Sequence, residues 1–408
     1  MKYLIVLMIF FTYAAFGQET DENLTFNGKG FVDTYHAART QLDGKYMSSR
    51  TRVRLEGNLG KNGITAFASL NVIYNPLLKD QTGFFLREAY VGYQQNGFDM
   101  KFGKQIITWG IADGLQLTDI ISPMDYTEFL AQDYDDIRVP VTALRLGYGN
   151  QNFHIEGVFS PIPEFFILPT DTINPWSIRI NEKSCLMNEK RPNRTLANSE
   201  YGLRASFYFS GFDFSLSALR TFNKMPALCI LGMNDKNQLL TDAEYARMDM
   251  IGADFSVPFG KIIIRGEAAE YFKALQSSPM TGNRPIKKNQ TTALIGVDWY
   301  PGKDWTLMLQ YNHNTISDYE NTLSNYRNYG MATVNIKKDL MRNLLKLSAF
   351  GRFDCANNGA FFIRFNADYQ LSDQLAISGG YDWFNANKGT FFMYRDNSEV
   401  FIKAKYCF

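Results

Sequence analysis

Apolar and polar residues alternate one by one over long stretches of this chain. Arg50, Arg52, Arg54, Glu56 and Asn58 interleave with Thr51, Val53, Leu55, Gly57 and Leu59. Thr306, Met308, Gln310 and Asn312 interleave with Trp305, Leu307, Leu309 and Tyr311, and Arg364, Asn366, Asp368 and Gln370 with Ile363, Phe365, Ala367 and Tyr369. Period two sends the two sets to opposite faces of a β-strand. One such strand suits a soluble sandwich as well as a membrane barrel, and the connections separate the two. Tight turns at 60–63, 95–97, 149–151, 210–211, 258–260, 300–304 and 371–373 fall between longer connections near 39–45, 75–82, 108–136, 161–197, 222–244, 275–289, 315–326 and 388–397. Short turns on one side and long loops on the other are the pattern of a closed transmembrane barrel. A sandwich has no reason to segregate its loops.

The rhythm predicts strands over 24–38, 46–60, 62–74, 83–94, 97–107, 137–149, 151–160, 198–210, 211–221, 245–257, 260–274, 289–301, 302–314, 327–338, 343–354, 358–371, 374–387 and 398–408. The expected fold is therefore all-β, a transmembrane antiparallel barrel of 18 strands, with 16 if one hairpin at 151–160 or 343–354 fails to form. Its polar set faces a water-filled lumen and its apolar set faces lipid.

Both ends of the chain fit this picture. Residues 1–17 have a basic start, an apolar run and small residues at Ala15 and Gly17, which reads as a secretory signal peptide preceding a barrel over 18–408. The terminal strand ends on Phe408, and a terminal aromatic resembles the ending by which bacterial outer-membrane barrels are recognised for assembly. Aromatics make up 15% of the chain, enough to furnish girdles at both membrane interfaces. A net charge of +1 gives no footprint for nucleic acid. Cys185, Cys229, Cys355 and Cys407 lack the close pair spacing of a zinc site. Cys185 and Cys229 both fall in long outer loops, so a bridge between them stands beside free thiols as an expectation for an oxidising location.

The connection at 108–136 is the candidate for selectivity, since long loops in compact folds are usually functional or disordered. Leu115, Leu117, Ile120, Ile121, Met124, Phe129 and Leu130 give it something to pack. Ser122-Pro-Met-Asp125 reads as a helix start, with Ser122 as N-cap, Pro123 at the first position and Asp125 in the capping-box position, so a short helix to about Ala131 is expected. The loop is also acidic: Asp113, Asp119, Asp125, Glu128, Asp133, Asp135 and Asp136 precede its first basic residue, Arg138. Arg50, Arg52 and Arg54 stand on one strand, each about 7 Å from the next, and Arg204, Arg265, Arg352 and Arg364 are further lumen candidates. The loop is expected to fold into the lumen and constrict it, setting Asp119, Asp125 and Glu128 against Arg50, Arg52 and Arg54. Two readings of that arrangement stay open and can coexist: a field across a narrow gap that selects solutes, and charges that pair and hold the loop in place.

The run Gly103-Lys-Gln-Ile-Ile-Thr-Trp-Gly110, then Asp119-Ile-Ile-Ser-Pro-Met-Asp125, resembles a motif of a porin-like outer-membrane family catalogued as domain of unknown function 1302, and Leu86-Arg-Glu-Ala-Tyr90 is similar to that family's preceding strand. The matching positions are Glu88, Gly103, Gln105, Trp109, Gly110, Asp119, Pro123 and Asp125; position 104 is Lys where Arg is commoner. The resemblance is good over 83–146 and elsewhere is barrel pattern only. It implies an outer-membrane channel or uptake protein, hydrophobic compounds being associated with the family, and leaves the solute open. Read from the residues themselves, Gly110 lets the chain bend sharply into the lumen and Trp109 anchors the bend. Shaping the loop and touching a solute stay open as its roles.

His36, His154 and His313 lie on different strands with no shared ligand spacing, and no nucleophile, His and acid cluster locally. The expected function is porin-like passive uptake of small hydrophobic or anionic solutes through the bacterial outer membrane, without enzyme chemistry, metal or cofactor. Its partners are outer-membrane lipid and the solute, with homo-oligomer and monomer both open. A plugged barrel used for docking or assembly is the alternative, and an outer-membrane enzyme a more distant one. The loop 161–197, carrying Phe165, Phe166, Ile167, Leu168 and Trp176, is read either as a lid or docking surface or as a loop packing on its neighbours.

Overall fold

A computed structural model of the chain describes residues 24–112, 115, 117–128, 130–134, 136–180, 182–357 and 359–408. The signal segment 1–17 and the loop positions Asp113, Phe129 and Asp135 lie outside them. Eighteen strands form one antiparallel sheet that closes on itself. They are β1 (Thr25–Arg39), β2 (Tyr46–Lys61), β3 (Ile64–Tyr74), β4 (Gly83–Gln95), β5 (Phe98–Gln105), β6 (Val141–Gly149), β7 (Phe153–Ser160), β8 (Glu200–Phe209) and β9 (Phe212–Phe222). The second half is β10 (Arg247–Phe259), β11 (Ile262–Gln276), β12 (Ile286–Gly302), β13 (Trp305–Ile316), β14 (Asn328–Leu340), β15 (Leu345–Asp354), β16 (Phe361–Gln370), β17 (Leu375–Asn385) and β18 (Glu399–Cys407). Each strand pairs with its neighbours in sequence, and β18 returns to β1 with Phe31 opposite Cys407 and Arg39 opposite Glu399. Gly30 and Phe408 exchange both backbone hydrogen bonds at this seam, at 2.8 and 2.9 Å. Closure leaves no strand edge unpaired, which is what a sheet needs in hydrocarbon.

The strands coincide with those predicted from alternation to within a few residues at each end. The two least regular, 151–160 and 343–354, are present as β7 and β15, each paired on both sides, so the count is 18 and the 16-strand option falls. Hairpin turns explain the sharp register on the short-turn side. Asn62-Gly63 and Asn96-Gly97 both take positive φ, the two-residue turn whose twist matches paired strands.

Burial is inverted relative to a soluble protein. Asp33, Arg50, Arg52, Glu267, Asp298 and Gln310 are buried, while Leu203, Leu309, Phe102 and Ile402 are each more than half exposed. Polar side chains line the inside and apolar ones the outside, and the fold is an outer-membrane β-barrel. No helix of the described residues is long and apolar enough to cross a membrane.

The outer loops hold a second sheet that the alternation did not predict. Arg179–Ile180, Lys183–Lys190, Ala227–Met233 and Leu239–Glu244 form four strands drawn from the two loops 161–197 and 222–244. Its central pair is parallel, with Leu239 opposite Cys185, whereas Cys229 lies opposite Asp242. The two cysteines are thus three register positions apart and both are free thiols, so no bridge joins them. The same loops pack on their neighbours: Phe165 meets Tyr245 with ring centroids 4.3 Å apart, and Trp176 meets Phe384 at 5.9 Å.

Candidate functional site

The connection between β5 and β6 runs from Ile106 to Pro140 and touches side chains on both β2 and β11. These strands stand nine positions apart in a ring of 18, on opposite walls. A segment that reaches inward-facing residues on both must cross the lumen.

Its first anchor is built on Glu267 of β11. That carboxylate accepts the backbone N–H groups of Ile111, Ala112 and Thr118 at 2.7–3.0 Å and the Thr118 hydroxyl at 2.8 Å. The chain turns here at Gly110, whose φ is 90°. A Cβ at this position would lie 2.7 Å from a Glu267 oxygen, so the bend admits only glycine. Trp109 at the bend is buried, and its indole Nε1 donates to Glu156 on β7 at 2.7 Å. Glu88 on β4 accepts the N–H of Ile106, where the loop leaves the wall, at 2.9 Å. Asp119 accepts the Trp109 N–H at 2.9 Å and pairs with Arg138 at 2.5 Å. Burial raises its carboxyl to about 6 against the opposing pull of Arg138.

The second anchor is Asp136. Arg54 donates to it at 2.6 Å, Arg52 lies at 3.0 Å and Arg87 at 3.6 Å. Burial works against its charge, but these arginines outweigh burial and hold the carboxyl well below the usual carboxylate range. Arg52 also grips Asp33 on β1 through two hydrogen bonds, at 2.6 and 3.1 Å. Arg50 donates to the Ala131 carbonyl at 3.0 Å, and Arg364 of β16 to the Leu130 carbonyl at 2.8 Å.

The arginine row makes its ion pairs with the loop at Asp136, which was not among the acids expected, while Glu128, which was, lies near Arg50. Asp119 belongs to Arg138. Asp125 accepts the N–H of Thr127 at 2.8 Å, and burial raises its carboxyl. Glu128 accepts from Ser48 at 2.5 Å and Asn75 at 2.7 Å, with burial raising it as well. Asp136 makes the direct ion pairs with the row.

The helix expected from Ser122 to Ala131 is absent among the described residues of that stretch. Its backbone donors go elsewhere: the N–H of Asp125 to the Ile137 carbonyl at 2.7 Å and that of Tyr126 to the Ile167 carbonyl at 2.8 Å. The Ser122 hydroxyl accepts the Ile107 N–H at 2.9 Å instead of capping. Tertiary partners override the local capping signal.

Between the loop's first anchor and the wall lies a chamber of about 300 Å³, bordered by Trp109 and by inward residues of β7 to β10. Nothing in the alternation pointed to it. Glu267 was likewise invisible as an anchor, because its partners are backbone groups some 150 residues away.

A family model described as "Protein of unknown function (DUF1302)" matches residues 15–276. The vitamin B12 transporter BtuB of Photobacterium profundum is 26% identical over an alignment 174 residues long that covers 36% of this chain and 28% of that transporter. The matched stretch thus spans well under two thirds of that relative. Among solved structures, OccAB3 of Acinetobacter baumannii superposes with a TM-score of 0.54 at 11% identity, covering 94% of this chain and 99% of the other. The outer membrane channel DcaP of Acinetobacter baumannii gives 0.48 at 11% identity, covering 96% and 99%. At these identities the structural likeness concerns the fold.

Proposed function

This chain belongs to the DUF1302 family and is a bacterial outer-membrane β-barrel, and from that premise we propose that it is a porin-like channel for passive uptake of small solutes. Residues 1–17 serve as its secretory signal. The observation that supports the reading is that one loop hydrogen-bonds to Glu267 and to the arginine row on opposite walls; in this reading it narrows the path available to a solute. Arg50, Arg52, Arg54 and Arg87 gather on one wall and make their ion pairs with Asp33 and Asp136, with Glu128 near Arg50 and Glu88 near Arg87. A guanidinium row of this kind supports anionic solutes, while the family resemblance supports hydrophobic ones. Glu88, Trp109, Asp119, Asp125 and Glu128 act in this reading by holding the loop in shape. The chemistry is binding and passage.

Replacing residues 112–135 by a short glycine-serine linker should raise single-channel conductance in planar bilayers several-fold. Unchanged conductance would overturn the constriction. One observation favours a plugged barrel that docks a partner. The outer loops interlock above the lumen, with Asn397 donating to the Pro175 carbonyl at 3.1 Å and Trp176 buried against Tyr394. Protein that conducts no ions before or after the loop is cut out would favour that second reading.

A further inference from the structure

The chamber beside Trp109 has a composition unlike that of the arginine row, and strand register explains it. On β7, β8, β9 and β10, His154, Ser206, Ser215 and Asp254 stand side by side as one inward row. Towards the short-turn side the next row is Tyr208, Asp213 and Ser256; on the other side Arg204 sits beside Glu156. Serines at the centre of the rows leave the space that larger side chains would fill. The result is a hydroxyl-lined floor, with charged groups at its borders and the Trp109 indole on the loop side.

Those charged groups come mostly as matched pairs. Arg204 meets Asp254 at 2.8 Å, and Glu156 meets Arg145 at 3.3 Å. One guanidinium nitrogen of Arg204, Nη1, is buried without a hydrogen-bond partner, and Ser206 and Ser215 hydrogen-bond to each other at 3.0 Å. An anion here would meet Asp254, Glu156 and Asp213. A cation would meet Arg204 and Arg145. An apolar guest would strip the hydroxyls of water and return nothing. A hydroxyl group both donates to a carboxylate and accepts from a guanidinium, so several on one small ring satisfy both borders with no net charge. The volume lies at the small end of ligand pockets, the scale of a single sugar ring. We propose that this chamber is a binding site for a small neutral polyhydroxylated solute of monosaccharide size, held between the serine floor and Trp109. The proposal departs from the anionic and hydrophobic solutes of the channel reading by assigning this chamber a neutral class, and rests on that reading only for its place along a route.

Intrinsic tryptophan fluorescence of the full-length protein in detergent tests it, with D-glucose as probe and L-glutamate and putrescine as charged controls. Glucose should give a saturable change and the controls none. Ser215→Leu, which fills the floor, should weaken glucose at least tenfold. Ser206→Leu serves if that variant does not show the heat-modifiable gel mobility of a folded barrel. Equal responses to all three probes, or full glucose binding in a folded leucine variant, would overturn the site. Bilayer conductance measured on the same preparations separates the two ideas. Conductance without glucose binding removes the chamber alone, and glucose binding without conductance removes the channel and keeps the chamber.

Discussion

The two anchors of the lumenal loop are chemical mirror images. At Glu267 the wall supplies the carboxylate and the loop supplies backbone N–H donors. At Asp136 the loop supplies the carboxylate and the wall supplies guanidinium groups. The first arrangement fixes the path of three backbone groups and is specific to one chain conformation. The second rests on the Asp136 carboxylate held by charge, beside guanidinium hydrogen bonds to the Leu130, Ala131 and Asp136 carbonyls, and a charge pair tolerates small shifts better than a backbone cradle does. The difference assigns the Glu267 end as hinge and the Asp136 end as latch, so a loop that opens should open from the arginine side.

The largest expected effect breaks the hinge. Glu267→Ala strands the buried donor of Thr118 and the half-buried donors of Ile111 and Ala112, and a buried orphan costs about 1–3 kcal/mol. Hydrogen exchange at those amides should quicken by roughly three orders of magnitude, while amides near Asp136 hold their protection. Equal loss at both ends would show one cooperative unit and erase the distinction.

Next in size is the latch. Asp136→Asn leaves Arg52 paired with Asp33 and takes from Arg54 the carboxylate it donates to, and breaking such a buried pair costs about 3 kcal/mol or more. Conductance should rise and the reversal potential in a salt gradient should move towards anions. Neutralising Arg50, Arg52 and Arg54 together should move it towards cations. If neither variant shifts the reversal potential, the row does not face the ion path.

The fold was legible because its signals are local. Alternation, Asn-Gly turns and the asymmetry of connections each act within a few residues, and they placed all eighteen strands. In the loop that carries the motif, Trp109 and Gly110 shape the bend. What escaped was pairing across distance. Asp136 looks like its acidic neighbours until Arg54 and Arg87 are folded opposite it, and Glu267 looks like any lumenal acid. The Ser122 capping signal was genuine as a local preference but lost to Ile137 and Ile167. The parallel pairing of two outer loops leaves no periodic mark in either.

The smallest effect sharpens the contrast through pH. Asp119 sits on the hinge side, and burial raises its carboxyl to about 6 from the usual 3.8. The closed loop therefore keeps a proton that an unfolded loop would release between those values. Its contribution to holding the loop is complete below about pH 4 and is lost as pH rises through 6. Asp136 runs the other way. Arginines depress its carboxyl, so its contribution is present throughout the range above ordinary carboxylate values and fails only in strong acid. Between about pH 5 and 8 the latch should stay constant while the hinge loosens by about 1.4 kcal/mol. Protection factors, corrected for intrinsic exchange, should fall about tenfold at the Trp109 amide over that range and stay level near Asp136. Asp119→Asn should flatten the hinge response. A hinge that tightens with rising pH, or a slope that survives Asp119→Asn, would mean that the hinge draws its strength from Glu267 alone.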